Sequence, residues 1–232
     1  MRVAALYDVH GNLPALEAVL AEVPDDATIV VGGDVAVGPF PSETLERLRG
    51  LGDRVRWIRG NADRELTRGE EGLAPPETLD WVRERLSEEQ IAFLHGLPPE
   101  LELQVDGVGR VLFCHATPKS DVDVFLERAP EDAVLAPHFE LVDAQVVVCG
   151  HTHMQFAREL AQLWVVNAGS VGMPYEDVHA AYWLLLGPTL EHRRTDYDAN
   201  GVAGAGFPGR IGGEQPGRSE ATAFFETLVL RG

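Results

Sequence analysis

Five predicted strands each end in side chains that can bind metal ions. The blocks are Asp8-Val9-His10-Gly11-Asn12, Gly32-Gly33-Asp34, Gly60-Asn61-Ala62-Asp63, His115 and Gly150-His151-Thr152-His153. Residues two apart on an extended segment point to the same side, so the two members of Asp8/His10, and of His151/His153, can share one target. The glycines allow the backbone to turn sharply at these points.

The ligand types indicate the metals. Carboxylate, imidazole and amide oxygen suit Mn, Fe, Zn, Ni or Co and require no thiolate. The metal-binding side chains are Asp8, His10, Asp34, Asn61, His115, His151 and His153. That set is too large for one ion and suits two, provided that one carboxylate bridges them. Two ions roughly 3.5–4 Å apart can clamp a phosphoryl group during in-line displacement.

An α/β chain would position these blocks. Short β-branched runs alternate with helical patterns, and the carboxyl ends of strands in an open α/β sheet line one crevice. The periodicity predicts helices at 13–23, at 42–51 with Ser42 as N-cap, and at 131–142 unless Pro137 interrupts it. From residue 155 the pattern changes to four strands with short connections. We expect one domain over 1–232, with a Gly-rich loop at 196–217 and a closing helix at 219–230.

Composition narrows the function classes. The 232 residues hold 37 Asp and Glu against 19 Lys and Arg, a net charge of −18. This excludes sequence-independent binding to nucleic acid or an anionic membrane, which needs a cationic face. A small phosphorylated substrate remains compatible, because bound metal inverts the local field. Two cysteines, no leader-like start and no membrane-length apolar run predict a cytoplasmic protein. The oligomeric state, including a homo-oligomer, stays open.

The ordered blocks, with Asn167-Ala168-Gly169-Ser170 and His115-Ala116-Thr117-Pro118, resemble the calcineurin-like metallophosphoesterase superfamily over residues 1–195. The small bacterial and archaeal phosphodiesterase branch is the most similar. The resemblance implies a four-layer α/β/β/α sandwich with two mixed β-sheets. It also implies a phosphodiesterase that hydrolyses a phosphate ester by attack of a hydroxide between two divalent ions. The alternatives are a phosphomonoesterase or phosphoprotein phosphatase, and a non-catalytic metal-binding scaffold of the same fold.

The resemblance also implies residue roles. One ion would be held by Asp8, His10, Asp34 and His153, and the other by Asp34, Asn61, His115 and His151. Asp34, Asn61 and His115 would be the catalytic residues of this centre. Asn61 and Asn12 would contact the substrate, although Asn12 also suits the N-cap of the helix that follows.

One position departs from the family pattern. Much of the superfamily has His after the Asn of the third block, where it serves as general acid, but this chain has Ala62. Alanine has no proton to give, and Asp63 lacks its usual partner. The sequence therefore predicts a complete dinuclear site without an obvious residue to protonate the leaving group.

The remaining polar residues have ordinary interpretations. Asn167 is expected to support the rim by hydrogen bonds, or to lie in a loop without a further role. Lys119, Arg59 and Arg64 are interpreted as surface, helix-face or salt-bridge cations, with contact to a phosphorylated substrate as the alternative. Cys114 and Cys149 are interpreted as small core residues. Structural or surface roles are expected for the histidines outside the blocks, and His138 is singled out because it lies between two ligand-bearing segments; these histidines are His95, His138, His179 and His192.

Overall fold

The computed structural model describes residues 1–70, 72–203, 205–209, 211 and 215–230. Two five-stranded sheets dominate this part of the chain. The strands are β1 (Arg2–Leu6), β2 (Ala27–Val31), β3 (Val55–Trp57), β4 (Glu100–Val105), β5 (Gly109–Cys114), β6 (Val146–Cys149), β7 (Gln155–Leu160), β8 (Leu163–Ala168), β9 (Ala181–Leu186) and β10 (Leu190–Thr195). The helices are α1 (Leu13–Glu22), α2 (Pro41–Arg49), α3 (Asn61–Arg68), α4 (Pro76–Arg83), α5 (Glu88–His95), α6 (Asp132–Leu135), α7 (Asn200–Ala203) and α8 (Arg218–Glu226).

Both sheets are mixed. The first has the order β10-β9-β1-β2-β3, in which β1, β2 and β3 are parallel, β9 is antiparallel to β1, and β10 is antiparallel to β9. The second has the order β4-β5-β6-β8-β7, with β5, β6 and β8 parallel between two antiparallel edges. The carboxyl ends of the parallel strands in each sheet carry the polar blocks.

Three apolar layers hold the sheets and helices together. Between the sheets, residues such as Tyr7, Phe113 and Leu184 form one buried cluster. On the outer face of the first sheet, α1 to α5 pack through a second cluster that includes Leu16 and Leu45. Leu135 and Phe139 cover the outer face of the second sheet. The predicted four-layer α/β/β/α sandwich with two mixed sheets is confirmed.

Several predicted helix boundaries are wrong. Ser42 is not an N-cap: α2 begins at Pro41, whose missing N–H suits the first helical position, and Ser42 instead accepts a hydrogen bond from Gln90. The helix predicted at 131–142 stops at Leu135 and continues only as a 3₁₀ turn, Ala136–His138, because Pro137 removes a helical donor.

The C-terminal part also differs. The loop predicted at 196–217 contains the short helix α7, and its residues 204, 210 and 212–214 lie outside the described residues. The closing helix predicted at 219–230 ends at Glu226. Its continuation leaves the helix so that the Leu230 N–H can donate to the carbonyl of Val124, 3.0 Å away. In the part of the chain that the structure describes, no helix has the length and apolar character needed to span a bilayer.

Candidate metal centre

The seven predicted ligands converge on one site. Asp8, His10, Asp34 and Asn61 follow β1, β2 and β3 of the first sheet, whereas His115, His151 and His153 follow β5 and β6 of the second. None of the seven is more than 7% exposed. The site therefore lies where the parallel ends of the two sheets meet, and each sheet contributes part of it.

Carboxylate oxygens and imidazole nitrogens face one another across the two sheets. Nε2 of His10 lies 3.3 Å from Nε2 of His153, and Oδ1 of Asp8 lies 3.4 Å from the latter nitrogen. Oδ2 of Asp34 lies 3.5 Å from Nε2 of His115 and 3.9 Å from Nε2 of His10. Two overlapping groups, one with Asp8, His10 and His153 and one with Asp8, Asp34 and His115, each offer ligand atoms within 4.8 Å of one another.

Asn61 and His151 complete the other side of the cluster. Oδ1 of Asn61 lies 3.1 Å from Nε2 of His115 and 3.0 Å from Nδ1 of His151. An amide oxygen and two ring nitrogens thus point at the same small volume. Nε2 of His151 is buried without a hydrogen-bond partner among the described residues.

In three of the histidines, a hydrogen bond at Nδ1 fixes the ring so that Nε2 faces the cluster. Nδ1 of His10, His115 and His153 contacts the carbonyl oxygens of Val37 (3.1 Å), Gly32 (2.9 Å) and Met173 (2.6 Å). A carbonyl only accepts, so each Nδ1 carries a proton and Nε2 presents a lone pair to the cluster when the ring is neutral. Metal-binding histidines are commonly oriented in this way.

The backbone is strained at five of the seven predicted ligands. Positive φ values are found at Asp8 (52°), His10 (47°), Asp34 (52°), His151 (65°) and His153 (59°). Ala161, at 58°, is the one further non-glycine residue with a positive φ among those described. Left-handed backbone at non-glycine residues concentrates at functional sites, because the surrounding structure must hold it there.

Two glycines make room for the site carboxylates: Gly60 lies beside Asp34 at the edge of the first sheet, and Gly150 reaches Asp8 from the second sheet. A β-carbon on Gly60 would lie 2.1 Å from Oδ1 of Asp34, and one on Gly150 would lie 2.4 Å from Oδ2 of Asp8. Both distances are far inside van der Waals contact. Any larger residue would push a carboxylate out of the cluster.

The donor set fits divalent cations. Oδ1 of Asp8 is buried and has no hydrogen-bond partner among the described residues, although an unpaired buried carboxylate oxygen is strongly unfavourable. No Lys or Arg side chain of the described chain pairs with Asp8 or Asp34; their charged neighbours are histidines. Cations at the centre would coordinate the inward-facing carboxylate oxygens of Asp8 and Asp34 and would offset the negative charges of these two residues.

The charges of the cluster also shift its pKa values. Burial alone would lower the pKa of His115, but Asp34 and Asp8 beside it raise the pKa to about 10. Burial and the neighbouring His115 lower the pKa of His151 to about 4. Burial would raise the pKa of Asp34, but His115, His10 and His151 lower it below its ordinary value. One proton on His115 thus partly offsets the carboxylate charge when no metal is bound.

Asp63 and Ala62 tie the third block to the second. The Asp63 carboxylate accepts hydrogen bonds from the backbone N–H groups of Asp34 (2.8 Å), Val35 (3.1 Å) and Gly60 (3.0 Å). In return, the N–H of Ala62 donates to Oδ1 of Asp34 at 2.8 Å. Asp63 is therefore held by backbone donors and does not orient a catalytic side chain, and the Ala62 side chain packs in the core beneath the helices.

Asn12 has the N-cap role. Its Oδ1 accepts from the N–H of Ala15 (3.2 Å), and its two amide hydrogens reach the carbonyl of Gly172 and the hydroxyl of Tyr197, each at 3.0 Å. The alternative interpretation of Asn12 as a helix cap is confirmed. Its polar atoms are engaged, so the expected substrate contact has no support in this geometry.

The other polar residues largely follow their ordinary interpretations. Asn167 supports the His151 turn by donating to the carbonyl of Gly150 and the hydroxyl of Thr152. Lys119 pairs with Glu140 at the surface, and Arg64 pairs with Asp121. Cys114 and Cys149 are free and buried in the core, as expected.

Two residues beside the site were not predicted from the sequence. Tyr175 stacks on the ring of His153, with centroids 4.9 Å apart. Glu65 accepts a hydrogen bond from the amide of Asn61. The one available signal for Glu65 was its spacing of four residues from Asn61, which places both on one helix face.

The sequence is similar to those of known phosphoesterases. The model of the calcineurin-like phosphoesterase superfamily domain matches residues 1–186. The chain belongs to that superfamily. The expected family resemblance is thereby confirmed.

Individual relatives agree with the family. The chain is 26% identical over 196 residues to the phosphodiesterase YfcE of Escherichia coli strain K12, covering 80% of this chain and 87% of the relative. It is 35% identical over 134 residues to a symmetrical bis(5'-nucleosyl)-tetraphosphatase of Pectobacterium atrosepticum, covering 53% of this chain and 47% of that one. A metallophosphoesterase structure from Sphaerobacter thermophilus aligns with a TM-score of 0.70 at 22% identity, over 88% of this chain and 92% of that one, and this likeness concerns the fold.

Proposed function

We propose that this chain is a phosphodiesterase that uses two divalent transition-metal ions, of Mn, Fe, Zn, Ni or Co, to hydrolyse a small phosphorylated substrate. The observation that carries the proposal is the convergence of seven buried ligands from both sheets. The phosphodiesterase relative, similar over most of its length, supports the same reaction class.

The distances favour two ligand sets. Asp8, His10 and His153 would hold one ion, and Asn61, His115 and His151 would hold the other. Asp34 is proposed as the bridge, because its Oδ2 faces His10 of one set and His115 of the other, at 3.9 and 3.5 Å. Its second oxygen is held by the N–H of Ala62, which keeps Oδ2 directed inward.

When bound, two such ions activate a water as nucleophile and neutralise charge on the phosphoryl oxygens. The chain's own residues supply the geometry. Asp34 and Asn61 are held by hydrogen bonds from outside the cluster, and His10, His115 and His153 by backbone carbonyls, so the substrate meets a rigid site. His115 and Asn61 stand together beside Asp34 and are proposed as the catalytic side of the centre.

The substrate class follows from what the cluster lacks. Among the described residues, no Arg or Lys side chain pairs with the site carboxylates, and position 62 carries no imidazole. A dianionic monoester would enter a protein of net charge −18, whereas a diester carries one negative charge less. A diester with a good leaving group therefore fits this site better than a monoester.

A second candidate reaction is cleavage of a dinucleoside polyphosphate. The tetraphosphatase relative, 35% identical over 134 residues, favours it. Its leaving group would be a nucleotide, which departs without help from a protein acid. Phosphomonoester hydrolysis and a non-catalytic metal-binding scaffold are the remaining alternatives, and the same assay separates them.

Metal content and turnover test the proposal together. We expect about two ions per chain, and hydrolysis of bis-p-nitrophenyl phosphate faster than that of p-nitrophenyl phosphate, with diadenosine tetraphosphate as third substrate. The Asp34→Asn variant should bind both ions more weakly, because a neutral amide bridges two cations poorly. The Oδ1 of the new side chain can still accept a hydrogen bond from the N–H of Ala62. The Asp8→Asn variant should lower the affinity for mainly one of the two ions. Two bound ions without turnover of any substrate would indicate a scaffold, and one ion or none would overturn the dinuclear centre.

A further inference from the structure

Glu65 is a buried carboxylate directly behind the candidate metal centre. It lies in α3, one helical turn after Asn61, and is 0% exposed. Its Oε1 accepts a hydrogen bond from Nδ2 of Asn61 at 2.9 Å, and its Oε2 accepts one from the N–H of Ala74 at 3.0 Å. Both oxygens are therefore engaged with donors, and one donor belongs to a proposed metal ligand.

This bond decides which end of the Asn61 amide faces the cluster. An ionised carboxylate only accepts hydrogen bonds, so Asn61 must direct its NH₂ group to Glu65 and its oxygen to the opposite side. On that side Oδ1 lies within 3.1 Å of ring nitrogens of His115 and His151. Rotated by half a turn, the amide would present NH₂ to a cation, which it cannot ligate.

The charge of Glu65 points to the same centre. In the described chain no Lys or Arg side chain pairs with its carboxylate; Arg83, the nearest cation in the hydrogen-bond network, donates to the backbone carbonyls of Glu65 and Leu66. A buried carboxylate without a cationic partner is unfavourable. A divalent ion beyond Asn61 would supply the missing positive charge through one polarised amide.

We propose that Glu65 is a positioning residue, which fixes the Asn61 amide with its oxygen toward the second cation and offsets part of that cation's charge. The inference rests on the proposed function, because it assigns Asn61 as a ligand. It adds a requirement outside the ligand set: the Asn61–Glu65 pair acts as one unit, with a donor and an acceptor in a defined order.

The Glu65→Gln variant tests whether the Asn61–Glu65 pair needs its donor on residue 61 and its acceptor on residue 65. Glutamine has one oxygen, but Asn61 and Ala74 both need an acceptor, so one bond must fail or the Asn61 amide must turn. We expect the affinity for one of the two ions to fall about 10- to 100-fold, as is typical when a group that orients a ligand is changed, while the other ion remains bound. Isothermal titration with Mn²⁺, and the visible absorption of the Co²⁺-loaded protein, report this without relying on turnover.

Reversing the polarity of the pair is the decisive variant. Asn61→Asp alone places the new carboxylate against that of Glu65, and it should also lower the affinity for the ion that position 61 faces. In the double variant Asn61→Asp/Glu65→Gln, the glutamine NH₂ donates to the new carboxylate and its oxygen accepts from Ala74. Every partner is then satisfied, so we expect binding of two ions to return to within a few-fold of the wild type.

The outcomes are distinguishable. Wild-type protein that binds fewer than two ions contradicts the proposed function itself. If the wild type binds two ions and Glu65→Gln binds both equally well, Glu65 has no positioning role. Loss in Glu65→Gln that the double variant does not restore overturns the inference in favour of a purely structural role. Glu70→Gln, on an exposed residue that follows α3, is the matched control and should leave both ions unchanged.

Discussion

Five of the seven candidate ligands, among them Asp8 and His151, hold left-handed backbone conformations. Each such conformation costs about 1–3 kcal/mol, so together they amount to a sizeable fraction of the stability of an ordinary domain. Asp and His tolerate this region better than most residues, but the strain still has to be offset. Backbone bonds do so in part: the N–H of His10 donates to the carbonyl of Asp34, and the N–H of Asp8 to that of Gly33.

Ala62 determines how the enzyme should respond to its leaving group. A positioned acid is worth about 10²- to 10⁴-fold, and position 62 offers none. We expect kcat/KM to fall steeply as the leaving-group pKa rises in a series of aryl and alkyl diesters.

A flat series would contradict this account and would direct attention to His138, whose Nδ1 is held by Asp123 at 2.8 Å. His138→Asn would then be the informative variant. A histidine at position 62 is a poor test, because the Ala62 side chain is only 4% exposed and belongs to the core.

His115 should couple metal binding to proton release. Burial opposes its charge, but Asp34 and Asp8 raise its pKa to about 10, so the metal-free protein carries this proton at pH 8. A cation takes the place of the proton on Nε2. We expect about one proton to be released per chain at pH 8, and the affinity to rise with pH up to about 10.

Titration calorimetry in buffers of different ionisation enthalpy measures the released protons. His192→Gln is a suitable control, since His192 hydrogen-bonds the carbonyl of Asn167 outside the cluster. Binding heats that are the same in every buffer would contradict the exchange.

At the scale of elements, the start of α3 and the loop after β2 depend on one carboxylate. Asp63 accepts from three buried backbone donors, and an amide in its place can accept on one side only. Asp63→Asn should therefore lower the free energy of unfolding by about 1–3 kcal/mol, even without metal.

Urea denaturation of the chelator-treated protein measures the loss. Asp80→Asn on the exposed face of α4 is the control and should stay within about 0.5 kcal/mol of the wild type. Equal stability of the two variants would show that Asp63 is dispensable.

The elements differ in how well the sequence predicts them. The helix α1 was predicted correctly because its apolar spacing is a local property of the segment. The helix at 131–142 is interrupted at Pro137, the exception that the sequence itself indicated, because proline outweighs the periodicity there.

The candidate site shows the same division. The convergence of the seven candidate ligands was predictable, since each follows a strand and strand ends converge. Glu65 and the carbonyls that orient the histidines were not predictable, because those bonds join distant residues, as between His115 and Gly32.

At the scale of the whole molecule, the candidate metal-binding residues come from two sheets whose apolar faces already pack together. Bound ions would join the sheets at their carboxyl ends as well, and the unfolded chain holds no such site. A metal ion present at 100 times its dissociation constant adds about 2.7 kcal/mol to the free energy of unfolding. At about 2–4 °C for each kcal/mol in a chain of this size, chelation should lower the melting temperature by roughly 5–11 °C.

Differential scanning fluorimetry with and without EDTA, followed by added Mn²⁺, measures this shift. Asp34→Asn provides the control, because its weakened sites should respond much less to chelator. A wild-type melting temperature that ignores chelator would count against ions held between the sheets.

The strand order of the first sheet has a consequence for synthesis on the ribosome. β1 pairs with β2 soon after both emerge, but its other neighbour, β9, is translated only after the whole second sheet. Until then the apolar edge Arg2–Leu6 is open to pairing with other chains. The nascent chain also carries Asp8 and Asp34 for most of translation without His151 and His153. Ions at the proposed centre would therefore be held only late in synthesis, after the stage at which the β1 edge is open.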